Sequence, residues 1–230
     1  MNKISNNIIA SLLVAVGIVL LGWFIKAGID NLAFHDRNVT VKGLAEREVE
    51  ANRVIWPISY EIAGNNLLSL YDQMTDYNKK ITKFLTTNGI DKDEITITPP
   101  DIYNATTNQY TTSRQFDYSL SCHVTIVTTK VKKVRELLDR QSELLKEGVP
   151  YSNSYISYEF TALNDIKPEM IAEATKNARE AAAKFAEDSG SKVGKIRSAS
   201  QGQFSIESQE STPFIKKVRV VSTIVYYLED

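Results

Sequence analysis

Cysteine and histidine are nearly missing from this chain. Cys122 is the one cysteine among 230 residues, and there are 2 histidines. An internal disulfide and a cysteine-based metal framework are thereby excluded. Cys122 and His123 are adjacent, but the stretch around them alternates like a strand, where neighbouring side chains point to opposite faces and do not pair as nucleophile and base. Cys122 reads as a small buried hydrophobe and His123 as an exposed polar residue. His35 lies far away, and no spacing of acids with it specifies a metal. A phosphate-cradling loop is also lacking, since Gly190, Gly194 and Gly202 follow a helical pattern instead of opening one. With 27 basic against 28 acidic residues the formal net charge is -1, so there is no basic surface to reward nucleic-acid phosphates. These absences predict no catalytic residue, no metal, no cofactor and no nucleic-acid partner, and the chain is expected not to be an enzyme.

Charge is missing most completely from residues 4–25, and residues 8–25 (IIASLLVAVGIVLLGWFI) are almost wholly apolar. At 1.5 Å per residue those residues reach about 27 Å, close to the hydrocarbon thickness of a bilayer. Lys3 and Lys26 bracket the run, and Trp23 sits near one end, where an indole suits the membrane interface. Two readings fit. An uncleaved anchor over residues 1–26 suits the length of the run, while a cleaved signal peptide suits the basic start, although Ile25-Lys-Ala27 is a poor cleavage site. A short tail that stays cytoplasmic puts the residues after Ala27 outside the cytoplasm. Ser11, Ala15 and Gly22 recur at steps of four and seven, lining one side of this helix with small residues that permit another membrane helix to approach.

Residues 27–37 (AGIDNLAFHDR) show no sustained period and read as a tether. A strand follows over Val39-Thr-Val-Lys-Gly-Leu-Ala, with Gly43 as an expected bulge. Val54, Trp56, Ile58, Tyr60 and Ile62 alternate with polar neighbours in the two-residue period of a half-buried strand, and Pro57 predicts an edge or bulge within it. A helix capped by Asn65 or Asn66 carries Leu67, Leu68, Tyr71, Met74, Ile81, Phe84 and Leu85 and ends at Gly89. A short strand is expected to stop at Pro99-Pro100. A polar arm over 104–115 leads into the alternating strand of Phe116, Tyr118, Leu120, Cys122, Val124 and Ile126. Thr129 is the expected cap of one further helix with Val131, Val134, Leu137, Leu138, Leu144 and Leu145 on its apolar side.

The longest amphipathic helix comes next. Met170, Ile171, Ala174, Ala178, Ala181, Ala182 and Phe185 form its apolar stripe, and Glu173, Lys176, Glu180, Lys184 and Glu187 the wet side. Asp165 is the expected N-cap, Pro168 falls in the first turn, and Gly190 ends the helix. The alanines let its axis lie close to a sheet with large side chains. A second polar arm over 201–217 leads to the closing strand, where Val218, Val220, Ile224, Tyr226 and Leu228 occupy one face. Val221, Val225 and Tyr227 occupy the other, so both faces expect cover, and these three residues are the expected interface.

The order strand, long helix, short strand, arm, long strand occurs twice at an offset near one hundred residues, over about 53–128 and 152–229. One α+β domain over 38–230 is predicted, a duplicated unit with helices on mostly antiparallel sheet. This order, together with Val41-Lys-Gly-Leu-Ala and the alanine-rich helix running into Gly190-Ser-Lys-Val-Gly-Lys-Ile196, resembles the SIMPL-domain family over residues 38–230. Members commonly carry leucine before the glycine where this chain has Ser189. The resemblance implies a bacterial envelope protein, anchored or periplasmic and linked to stress tolerance, without an established reaction. The expected function is that of a single-pass inner-membrane protein with its domain in the periplasm or outside the cell, acting by homo-oligomeric assembly or by binding another envelope protein. The alternative is a small-ligand carrier using a cleft between the two repeats.

Overall fold

The computed structural model describes residues 2–34, 37–107, 115–152 and 155–229, with side chains outside 2–11, 30–34 and 107. The fold is α+β, with helices packed on antiparallel sheets and an apolar helix at the N-terminus. That helix, α1, spans Asn2–Phe34, so residues expected as a tether continue it. No proline interrupts them, and extending an existing helix costs far less than starting one.

Two compact units follow from the way the chain packs: Met1–Glu46, Lys167–Phe204 and Arg219–Asp230 form one, Arg47–Ile166 and Ser205–Val218 the other. The stretch 53–128 lies within the second unit, whereas 152–229 is divided between them.

The first unit is built on strand β1 (Asn38–Glu50), helix α5 (Leu163–Asp188), strand β7 (Lys192–Gln201) and most of strand β9 (Ile215–Glu229). β9 lies between β1 and β7. Met170, Ala174, Ala178, Ala182 and Ala186 of α5 are buried in an unbroken i, i+4 row. Val41, Ile224 and Tyr226 complete the core around Ala178 and Ala182. Gly43 keeps its place in an unbroken alternation of burial along β1. It sits under α5, where an added Cβ would lie 1.8 Å from the Ala174 carbonyl oxygen, and Asn177 Nδ2 donates to the Leu44 carbonyl at 2.8 Å. The close approach foreseen for the alanine row therefore requires glycine as its counterpart on the strand.

Three expectations for α5 are corrected. The helix begins at Leu163, which leaves Asp165 in its first turn and Pro168 inside it. The Asp165 amide is already bonded to the Ala162 carbonyl at 3.1 Å, so the turn forms ahead of the expected cap. Phe185 is 60% exposed. Gly190 does end the helix, at φ 68°.

The second unit centres on β2 (Arg53–Gly64), paired along its length with β4 (Tyr118–Thr128) from Val54↔Thr128 to Gly64↔Tyr118. Strand β3 (Ile95–Asn104) pairs on the outer side of β4. Strands β5 (Tyr151–Ser152) and β6 (Ser157–Glu159) pair with the other side of β2. Pro57 falls in the interval between Ile55, paired by β6, and Ser59, paired by β5, so its missing N–H interrupts no ladder there. Trp56, Ile58, Tyr60, Leu120, Val124 and Ile126 form the sheet side of the core. Helices α2 (Leu67–Thr87), α3 (Val131–Asp139) and α4 (Ser142–Lys146) supply Ile81, Leu85, Leu137 and Leu144.

Asn66 caps α2, its Oδ1 accepting from the Ser69 amide at 3.1 Å. Leu67, Leu68 and Tyr71 are exposed instead of joining the apolar face. Pro99-Pro100 does not stop β3; the register shifts between Thr98 and Asp101 and pairing resumes, so the prolines occupy an irregularity where no ladder amide is required. The single helix expected after Thr129 is two, broken around Arg140 and Gln141, and Lys130 is the cap residue of the first. Among the described residues no side chain caps that helix; the Thr128 hydroxyl accepts from the amide of Lys130 itself at 3.0 Å. Residues 104–115 begin with the end of β3 and a 3-10 turn at Ala105–Thr107. The second arm contains strand β8 (Ser205–Ser208), which pairs with β9.

Candidate functional site

Strand parity organises β9. Lys216, Val218, Val220, Ser222, Ile224 and Tyr226 are buried, while Val221, Val225 and Tyr227 are half-buried on the alternate face. Val225 pairs with Ser198 of β7, and the Arg197 guanidinium lies 5.9 Å from the Tyr227 ring centroid. Arg219 on the same parity approaches Glu46 at 3.5 Å. The result is a short apolar strip with a charged margin, next to a strand β7 whose residues 196–201 are exposed throughout. In the second unit β3 has the corresponding character as the outer strand of its sheet, with Ile102 and Tyr103 54% and 55% exposed.

Ala15 and Gly22 lie on an α1 segment that makes no buried contact, and a Cβ added at Gly22 meets nothing within 4 Å. The side chain of Ser11 lies outside the described residues. Leu12–Ile29 is a candidate single membrane span or signal sequence, with mean hydropathy 2.3.

Cys122 and His123 point to opposite faces of β4. Burial pushes the Cys122 thiol up, partly offset by its hydrogen bond with Tyr60. Tyr60 is itself pushed well up by burial, and its hydroxyl donates to Asn78 Oδ1 at 2.7 Å. His123 Nδ1 lies 2.9 Å from Ser59 Oγ, on the half-buried side. A high-pKa buried thiol is inert. Cys122→Ser and His123→Ala are accordingly expected to leave any cellular phenotype of the folded protein intact, with Cys122→Ser costing about 1–3 kcal/mol for a buried hydroxyl. Phenotype scored together with protein abundance checks this, and loss of phenotype at normal abundance would reopen a catalytic role.

Sequence reasoning missed Lys216. The signal was available: counting back by twos from Tyr226 through Val218 places a lysine on the inward parity of a strand. Lys216 is 5% exposed, and its Nζ donates to Ser208 Oγ at 2.6 Å. Burial lowers its pKa, opposed by the charge of Glu159. Beside it is an open pocket of about 330 Å³ lined by Tyr158, Glu159, Phe160, Thr161, Ile206 and Ser208, of which Thr161, Ile206 and Ser208 are exposed, all within the second unit. A larger groove of about 540 Å³ runs along α2 past Lys79, Lys83 and Lys92, but these ammonium groups are solvated.

The family described as SIMPL, protein of unknown function (DUF541), matches residues 39–225. A comparison with curated proteins finds no match.

Proposed function

The chain belongs to the SIMPL family, and from that premise we propose that it is a membrane-anchored cell-envelope protein whose soluble domain acts by self-assembly. The observation that carries this reading is the alternate face of β9, where Val221, Val225 and Tyr227 remain half-buried beside an exposed β7. An apolar strip with a charged margin has the composition of an interface, aromatic and aliphatic inside and polar at the rim. Outer strands with one unpaired edge add backbone donors and acceptors ready to pair with another copy. A single-pass helix has no partner of its own in the bilayer, so the small residues Ser11, Ala15 and Gly22 are placed to meet the same helix of a neighbour. In this reading α1 spans the bacterial inner membrane once, the domain faces the periplasm or cell exterior, and another envelope protein or a role in stress tolerance comes through the assembled surface.

Full-length protein in detergent is expected to scatter light as a multiple of its 25.8 kDa chain mass. Val221→Lys with Val225→Lys is expected to lower that mass with the helix content unchanged, because two positions inside the apolar strip become charged. A strictly monomeric full-length protein at micromolar concentration would sink the proposal.

A further inference from the structure

Lys216 poses a problem of charge accounting. An ammonium carries three donors and no acceptor. Among the described residues the Ser208 hydroxyl is its one hydrogen-bond partner, and no carboxylate lies within ion-pair distance. Glu159, the acid that lines the same cavity, approaches the Arg53 Nε at 3.7 Å instead and acts on Lys216 only through space. A largely covered cation with one hydroxyl partner has lost part of its hydration, and a negative partner entering from the open pocket restores what was lost.

The surroundings say what kind of partner fits. Tyr158 is 9% exposed, and Phe160 and Ile206 bring further apolar surface to the cavity wall. At about 330 Å³ the space lies at the small end of the range for small-molecule sites. The Lys216 amine enters from β9 and Ser208 from β8, so the polar end of the cavity is fixed by two paired strands. One positive charge matches one negative charge, and the Glu159 carboxylate on the wall disfavours a second.

We propose that this cavity binds a small organic monocarboxylate, with Lys216 and Ser208 holding the carboxylate and Tyr158, Phe160 and Ile206 receiving its apolar body. The carboxylate accepts hydrogen bonds from the Nζ protons that Ser208 leaves free, and in these both partners carry charge. The site is distinct from the assembly surface and stands whether or not the protein oligomerises. Binding weakens as pH rises through the lowered pKa of Lys216, because the neutral amine no longer supplies countercharge.

The test uses full-length protein in detergent, with phenylacetate and hexanoate as probes and phenylacetamide and hexanamide as uncharged controls. At about 10 mM a site with a Kd near 1 mM is largely filled. The expected result is a saturable rise in melting temperature with at least one acid, and at least tenfold weaker response to its amide. Lys216→Met should abolish the response while remaining folded, since an apolar side chain of similar volume removes a buried charge. In the unliganded protein, the stability deficit of wild type against this variant should shrink as pH rises toward the ordinary lysine value of about 10.4, because a lowered folded pKa penalises the protonated form. No saturable response to either acid in the wild-type protein overturns the proposal, as does an acid and its amide acting equally. An unchanged response in folded Lys216→Met overturns it too.

Discussion

Gly43→Ala is expected to destabilise the folded protein by about 3 kcal/mol, lowering its melting temperature by roughly 6–12 °C. The added methyl carbon would stand 1.8 Å from the Ala174 carbonyl oxygen, 2.6 Å from the Ala178 amide nitrogen and 2.8 Å from Ala178 Cβ. Two of these three atoms are helix backbone, so no rotamer change relieves the overlap; α5 itself must lift from β1. Lifting it separates the buried row of alanines from Val41, Ile224 and Tyr226 and stretches the Asn177 bond to Leu44. Interiors packed at crystal-like density have no slack to absorb such a shift. Gly28→Ala is the matched control, since nothing lies within 4 Å of the added carbon and Gly28 lies off the small-residue side of α1. Thermal unfolding of the two variants decides it: equal melting temperatures would mean that α5 does not lie on β1 as closely as the structure places it.

The second large effect concerns α1. The protein is expected to require detergent for extraction and to retain Met1 or Asn2 at its N-terminus. Val19→Arg places a charge near the middle of the Leu12–Ile29 segment, at a cost of about 3 kcal/mol on insertion scales, or roughly two powers of ten in partitioning. The expected outcome is a marked shift of this variant from the membrane fraction to the soluble or degraded pool. Intact-mass measurement of wild-type protein separates the two readings of the segment. A mature chain starting between Ala27 and Asn38 identifies a signal peptide that is removed.

Period-two alternation located β2 and, from Tyr118 on, β4, because a sheet with one covered face repeats burial every second position whatever covers it; Phe116, counted with β4, lies ahead of the strand and is exposed. Asn66, Gly89 and Gly190 marked helix ends for a similarly local reason: caps and left-handed residues serve the backbone of their own helix. Phe185 shows where locality fails. Averaged over α5 it belongs to the apolar stripe, but the buried row advances by about 40° at each i+4 step, so by Ala186 it has wound about 160° around the axis. Phe185 lies in line with Ala174 and Ala178, about 100° away from Ala186 where the row ends, and is left facing solvent there.

The sequence by itself determined the α+β class, the apolar N-terminal helix, the alternating strands and the alanine face of α5, all of which follow from repeats written along the chain. Only the tertiary structure decided that Gly43 must remain glycine and that the inward lysine of β9 is buried beside a cavity. Both depend on the distance to an element far away in the chain, Ala174 in the one case and Ser208 with Tyr158 in the other. Periodicity tells which side of a strand turns inward; what waits there, and how near, is set by packing.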